Sequence, residues 1–500
     1  MRIIPWSKLE EEYKIPRDKF NVYQLIEKKV VEQKNSLALH FEYENGKKEE
    51  FSYFELDKKV NQFAFIFSKY GIKKGSRVAI FLPKCPEIYF SILATIKLGA
   101  IAIPLFEAFQ KDGLKLRLEK ADANFLITNK ELFKRYEKIK TIKKVFIVNS
   151  KNFKNSLKEK NVETKIVEKK APCFMIFTSS TAGTPVAGIL LPHQGAVQWL
   201  YTGKIVLDLS KEKKYFCSAH PAWVTGSIYG VLTPFLLGAS VFSIEGRFDS
   251  VRWKNFLLKN KISHVYTAPT VFRLLKNEIK KEDLKYIKRI CSVGEALPLS
   301  LVEHYEKLGV KIIDSYWQTE IGAIAIANID FKKGSMGKAI NLDIKTIENE
   351  IVIKKPWPAL MVGIWKHKKM FESYFKKDLF FTKDLAKKEK ECFYFIGRKD
   401  DIIKTSGERV SPLEIENVLL KLKEVKECAV VGVPDELKGS VLKAFIVLNK
   451  EIKESEGLKD KIIEFVKKNY AGHSYPKIIE FVKELPKGNS GKILRKFLVK

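Results

Sequence analysis

The sequence predicts an α/β fold: a large N-terminal domain of helix-covered, mostly parallel sheets, then a small, mobile C-terminal α+β domain. Three observations point there. Apolar β-rich runs alternate with helical patterns through the first two-thirds of the chain, and strands separated by helices imply parallel sheets. A charged junction over 393–412 interrupts the alternation, and a smaller α/β pattern restarts beyond it. The length of 500 residues exceeds one core, at the usual ~100–200 residues per domain.

In chain order, residues 77–82 (Arg-Val-Ala-Ile-Phe-Leu) read as a buried strand, followed by Pro83 and a helix over 87–98. Further strands are expected at 100–105, 123–128, 174–177, 239–243, 264–266 and 289–292. In such sheets ligands collect at the carboxyl ends of strands. The apolar strand 393–396 runs into the charged turn Gly397-Arg-Lys-Asp-Asp401. Beyond it come a helix over 414–422, strands at 428–433 and 444–448, and a helix over 458–469. The lysine-rich stretch 376–390 reads as exposed turns, and no internal repeat is present.

Composition narrows the function classes. Six cysteines are scattered singly without a CxxC pair, which argues against a disulfide framework or zinc site and fits a reducing cytoplasm. Seven histidines form no HxxxH or HExxH group, so no dedicated protein-bound metal is expected. The N-terminus lacks the apolar core of a signal peptide. The longest apolar-rich run, 230–242, is shorter than the ~20 residues a bilayer span needs. Lys+Arg of 91 against Asp+Glu of 59 gives a net charge of +32, spread along the chain. That suits polyanionic small molecules or a solvated lysine-rich surface rather than a nucleic-acid stripe.

The strand ending at Phe177 leads into Thr178-Ser-Ser-Thr-Ala-Gly-Thr-Pro185. A hydroxyl-rich, glycine-containing loop after a strand can wrap a phosphate with N–H and O–H groups. It can equally be an ordinary polar loop, and it is not a Walker A loop. It resembles the phosphate loop of the adenylate-forming superfamily, TSG[ST]TGxPKG, with Thr178, Ser179, Thr181, Gly183 and Pro185 matching. Ser180 and Ala182 depart from that pattern. Val186-Ala187-Gly188 replaces the Lys-Gly and removes a cation expected to steady ATP phosphates.

Further blocks follow in family order: 215–226 (Tyr-Phe-Cys-Ser-Ala-His-Pro-Ala-Trp-Val-Thr-Gly), 266–270, 291–295, 314–320 (Asp-Ser-Tyr-Trp-Gln-Thr-Glu) and 334–337. They resemble the acetate-type branch of the AMP-forming acyl-CoA ligases, and the resemblance covers nearly the whole chain from about Asn21. It implies that Gly294, Glu295, Ala296 (where proline is usual), Asp314, Ser315, Tyr316, Gln318 and Thr319 line an ATP pocket. Glu320, placed after the strand-like 310–313, suits Mg²⁺, a hard cation that prefers oxygen ligands. Tyr316 offers a ring for adenine stacking. Trp317 matches a tryptophan that closes the acyl pocket against longer acids, with Val224, Thr225 and Val293 around it. As a plain core residue, Trp317 would leave chain length open.

At the junction, 380–386 resembles YxxGDxA. Asp384 keeps the carboxylate that can accept from both ribose hydroxyls, while Lys383 stands where glycine is usual. Arg398 and Arg409 match further nucleotide contacts, Asp400 the hinge, and Ser406 and Gly407, with Thr225, the coenzyme A channel. The segment 485–495 resembles PKTxSGKxxR, and Lys492 matches its catalytic lysine, a site of regulatory acetylation. The resemblance therefore divides the chain into an adenylation domain (1–398), a hinge (399–401) and a mobile domain with the catalytic lysine (402–500). It implies a cytoplasmic acetate–CoA ligase that uses ATP, Mg²⁺ and coenzyme A, with Lys492, Thr319 and Glu320 assisting catalysis. A lysine acetyltransferase or deacetylase would be its macromolecular partner; no nucleic acid or membrane is expected. Three rivals stay open: a ligase for propionate or another short acid, a catalytically impaired adenylate-binding homologue and, ranked last, a nucleic-acid-binding protein suggested only by the net charge of +32.

Overall fold

The computed structural model describes residues 3–177, 187–399, 401, 403–405, 408–435, 439–469, 475–488 and 493–499. The alternating pattern resolves into two large sheets. One is built on five parallel strands in the order Pro172–Phe177, Ile101–Leu105, Arg77–Phe81, Phe125–Thr128 and Lys144–Ile147. Gly188–Pro192 and Gly363–Ile364 extend it antiparallel. The other contains a parallel block in the order Ile312–Tyr316, Arg289–Val293, His264–Thr267, Lys214–Cys217, Ser240–Ile244 and Leu37–Glu42. Beyond Ile312–Tyr316 it turns antiparallel and runs out through Cys392–Arg398 and Leu379–Glu389.

Local chemistry explains the helices between. Ser52 and Glu55 form a reciprocal capping box at the start of Tyr53–Lys69, which satisfies two N–H groups the first turn leaves open. Pro86 opens the helix Pro86–Lys97, whose residues are nearly all buried, as expected of a helix apolar on every face. Trp199 is fully buried, and its indole donates to the Gly322 carbonyl at 2.8 Å. Truncating so large a buried ring to alanine costs about 3–5 kcal/mol.

Past residue 400 the chain builds a three-stranded sheet of Val425–Asp435, Gly439–Leu448 and Ile478–Phe481. Helices Pro412–Leu419 and Glu456–Asn469 pack on it around Ile415, Leu419, Val430, Ile446, Ile462 and Val466. The fold is thus α/β, with a large N-terminal region of mostly parallel sheets and a small C-terminal sheet with helices.

Three local expectations need correction. The stretch 376–390 is not a set of exposed turns: it forms the strand Leu379–Glu389, with alternate residues from Phe380 to Ala386 buried. Its lysines masked a period-two pattern. Asp314, Ser315 and Tyr316 complete the strand Ile312–Tyr316 rather than follow it. Arg398 ends the strand Cys392–Arg398 rather than occupying a turn, because it pairs across the ladder with Asp384.

Candidate active site

Ile312–Tyr316, Arg289–Val293, His264–Thr267 and Lys214–Cys217 are neighbouring parallel strands, so the loops beyond their carboxyl ends gather in one place. They surround an open cleft of about 1490 Å³. Gly294, Glu295, Ala296, Asp314, Ser315, Tyr316, Gln318, Thr319, Glu320, Asp384 and Arg398 all line it, as do Val224, Thr225, Val293 and Trp317. Residues from five separate stretches of sequence therefore meet at one surface. Gly294 bends the chain out of its strand with a positive φ of 90°, where a side chain would be strained.

Asp384 is the polar centre of one end. Its Oδ2 accepts from the Tyr316 hydroxyl at 2.9 Å and from Gln318 Nε2 at 2.5 Å, and Arg398 Nε lies 3.7 Å from Oδ1. Gln318 Nε2 also donates to the Thr382 carbonyl at 2.9 Å. Lys383, in the place where glycine was expected, takes a φ of 61°. The backbone thus keeps the left-handed turn that favours glycine, and the lysine bears its strain.

Acids crowd the cleft. Thr270 Oγ1 donates to Glu295 at 2.9 Å, and the Tyr374 hydroxyl donates to Glu320 Oε1 at 3.2 Å. Burial pushes the Glu320 carboxyl upward, against Arg398 and the Tyr374 hydroxyl, which pull it down. Burial likewise raises Asp314 to about 7, opposed by the Ser315 N–H.

At the apolar end, Trp317 is buried, and its indole donates to the Tyr266 hydroxyl at 3.0 Å. The Tyr229 ring meets it edge-on at 5.1 Å. Gly226 has no room for a side chain: a Cβ there would lie 2.1 Å from the His220 carbonyl oxygen. That close approach packs the start of the helical stretch that carries Val224 and Thr225 against the His220 backbone.

The profile of the AMP-binding enzyme family matches residues 26–356 of this chain, and that of the AMP-binding enzyme C-terminal domain matches 414–492. The chain belongs to the AMP-binding enzyme family. It is 37% identical to an acetyl-coenzyme A synthetase of Bacillus subtilis over 93% of this chain and 87% of that protein. An acetyl-coenzyme A synthetase of Methanothrix thermoacetophila is 32% identical over 93% of this chain and 80% of its own length. Among solved structures, an anthranilate CoA ligase in complex with anthranoyl-AMP superposes with a TM-score of 0.87. It is 25% identical, and the match covers 97% of this chain and 98% of that one.

Several residues expected to matter in this AMP-binding enzyme lie outside the described residues: Thr178, Ser179, Thr181, Gly183, Asp400, Ser406, Gly407 and Lys492. Arg409 lies in the strand Glu408–Val410, paired with Ile403–Thr405. Sequence reading gave no role to other cleft residues. Tyr266 and Thr270 stood inside a matched block, whereas Tyr374 carried no signal. Lys84, Glu107 and His220 come together in the same wall. Lys84 donates to the Ser218 carbonyl at 2.8 Å, burial pushes its amine down to about 8, and His220 Nε2 lies 3.4 Å from Glu107 Oε2.

Proposed function

We propose that the chain is an ATP-dependent acetate–CoA ligase, forming acetyl-CoA through an acetyl-adenylate and releasing AMP and pyrophosphate. The observation that carries this reading is Trp317, a rigid buried indole on the cleft wall beside Val224, Thr225 and Val293. It leaves an acyl pocket suited to the shortest acids, since overpacking a fixed wall is costly. The acetyl-coenzyme A synthetases among the relatives support the same substrate.

Acetate sits with its methyl toward Trp317 and its carboxylate toward the α-phosphate of ATP. Asp384 accepts from the ribose hydroxyls, Tyr316 lies against adenine, and Gly294–Ala296 line the same nucleotide. Thr178, Ser179, Thr181 and Gly183 wrap the phosphates. A carboxylate oxygen attacks the α-phosphorus, and the bond to pyrophosphate breaks. Thr319 and Lys492 neutralise charge as the two anions approach. Among the described residues no cluster of three or more acidic, histidine or cysteine groups could hold a metal alone. Glu320 offers a hard carboxylate on the cleft wall, bonded by the Tyr374 hydroxyl, which would suit Mg²⁺ arriving with ATP; when bound, the ion would supply charge neutralisation of the phosphate oxygens.

For the second half, residues 402–500 turn about the hinge at Asp400 against 1–398. Lys492 withdraws, and Ser406, Gly407 and Thr225 border the coenzyme A channel. Arg409 and Arg398 keep contact with the nucleotide. The coenzyme A sulfur attacks the acetyl carbonyl, its proton is lost, and AMP leaves. Acetylation of Lys492 by a lysine acetyltransferase, reversed by a deacetylase, would silence the first half only. The six cysteines, all free thiols, support a cytoplasmic setting; no helix among the described residues is long and apolar enough to cross a membrane.

A pyrophosphate-release assay over acids of increasing length, with and without coenzyme A, tests the reading. Acetate should exceed propionate by roughly 10–200-fold in kcat/KM, the worth of one methylene in a fitted pocket. ATP binding without AMP production, or preference for a longer acid, would refute it.

A further inference from the structure

A directed chain of hydrogen bonds crosses the wall of the acyl end. Trp317 Nε1 donates to the Tyr266 hydroxyl at 3.0 Å. That hydroxyl meets Ser315 Oγ at 2.9 Å, and Ser315 Oγ donates to the Ser292 carbonyl at 2.6 Å. An indole N–H can only donate and a carbonyl can only accept. The two hydroxyls between must therefore each accept from the indole side and donate toward Ser292. The donors and acceptors of the chain sit on three adjacent parallel strands, His264–Thr267, Arg289–Val293 and Ile312–Tyr316, with Trp317 just past the last.

All four members are nearly dry. Tyr266 and Ser292 are fully buried, with Ser315 at 4% and Trp317 at 8% exposure. The nearby phenol of Tyr229 is engaged elsewhere: it bonds Thr202 Oγ1 at 2.8 Å and accepts the Ile324 N–H at 2.9 Å. Ring packing limits how far the indole can translate, but the bond to Tyr266 fixes its rotation about the side-chain torsions. Without it a buried N–H loses its partner, and the ring gains by turning away.

We infer that Tyr266 is a specificity-determining positioning residue: its phenol holds the Trp317 indole across the acyl pocket and so sets the length of acid accepted. The inference rests on reading Trp317 as the wall of that pocket. Tyr266→Phe keeps the ring and removes the hydroxyl that accepts the indole proton and donates to Ser315 Oγ.

The experiment measures kcat and KM for acetate, propionate and ATP in the full-length protein and its variants. In Tyr266→Phe the propionate-to-acetate ratio of kcat/KM should rise about tenfold. The rise should come through a lower KM for propionate, with KM for ATP unchanged. In a Trp317→Phe background the same substitution should change the ratio by less than about twofold, because no indole proton remains to be held. An unchanged ratio in folded Tyr266→Phe, or an equal rise in both backgrounds, overturns the inference. Should Tyr266→Phe not fold, Ser315→Ala is read by the propionate-to-acetate ratio of kcat/KM alone, since Ser315 also lines the nucleotide pocket. It removes the acceptor of the Tyr266 proton, a rise of about threefold supports the inference, and no rise overturns it. A wild-type protein that activates no short acid refutes the functional reading and the inference together. A wild type that activates acetate, broadens on Trp317→Gly and ignores Tyr266→Phe refutes the inference alone.

Discussion

At the acyl end of the cleft, Trp317 is fixed by neutral groups, the Tyr266 hydroxyl and the Tyr229 ring. In the C-terminal unit, the stretch 489–492 is bracketed by charges instead. On one side Lys487 Nζ reaches both oxygens of Glu427, at 2.8 and 2.7 Å. On the other, Arg495 Nη2 lies 2.7 Å from both oxygens of Glu416, which is buried and also accepts the Val430 N–H at 2.8 Å. A backbone bridge also pairs Lys487 with Ile493. The difference teaches how one chain can separate two tasks. A wall built of packed rings and neutral bonds keeps one shape, as the proposed selector of acid size requires. The ion pairs stand where the C-terminal unit meets the cleft, since Glu416, Glu427, Lys487 and Arg495 line it too, and on the proposed reading they let the segment they flank move with that unit.

The strongest way to break this comparison is Lys492→Ala. Adenylate formation from acetate and ATP should fall about a thousandfold, because the charge bridging carboxylate and α-phosphate is gone. Conversion of supplied acetyl-adenylate and coenzyme A to acetyl-CoA should persist. Separate assays of the two halves decide it, and equal loss in both would contradict a moving C-terminal unit.

Trp317→Gly tests the neutral wall. Acetate activity should drop while butyrate gains about a hundredfold relative to it, measured as a ratio of kcat/KM. An unchanged chain-length profile in a folded variant would mean that the indole is core and not gate.

A smaller effect should follow from Glu416→Gln, which leaves Arg495 with a neutral partner and with Asp401 at 3.8 Å. Charge-assisted bonds are roughly twice as strong as neutral ones, so Arg495 should be held less firmly. Adenylation should fall about tenfold, with the thioester-forming half retained. Loss confined to the second half would show that the anchor serves coenzyme A instead.

Much of this was legible in the sequence because the decisive blocks are short and contiguous. Residues 314–320 and 291–295 announce a strand end and its loop, and both reach the cleft. What could not be read was pairing between blocks. Nothing in the sequence says that Tyr266 receives the proton of Trp317, since the partners stand 51 positions apart. Nor does it say that Arg495 finds Glu416, 79 positions away. The lysines of 376–390 hid a strand because composition overrode its alternation. Lys383 shows the converse: a backbone requirement survived after the residue that usually meets it was replaced.

Asp314 offers the finest test, because its effect is confined to one pH window. Burial lifts its carboxyl from the ordinary 3.8 to about 7, with only the Ser315 N–H, 3.0 Å from Oδ1, pulling the other way. As pH rises from about 4 toward 7, an unfolded chain gives up this proton while the folded chain keeps it. Folding stability from this group is therefore fully present below about 4 and is lost as pH climbs through 7. Asp314→Asn supplies a neutral group of the same shape that never titrates. Its advantage over wild type should be about a third of its full size at pH 5, grow to on the order of 1–4 kcal/mol by about pH 7–8, and then stay level. Urea unfolding midpoints at pH 5, 6, 7 and 8 measure it. A gain equal at every pH would trace to packing alone, and a loss at pH 8 would mean that the folded cleft favours the ionised acid.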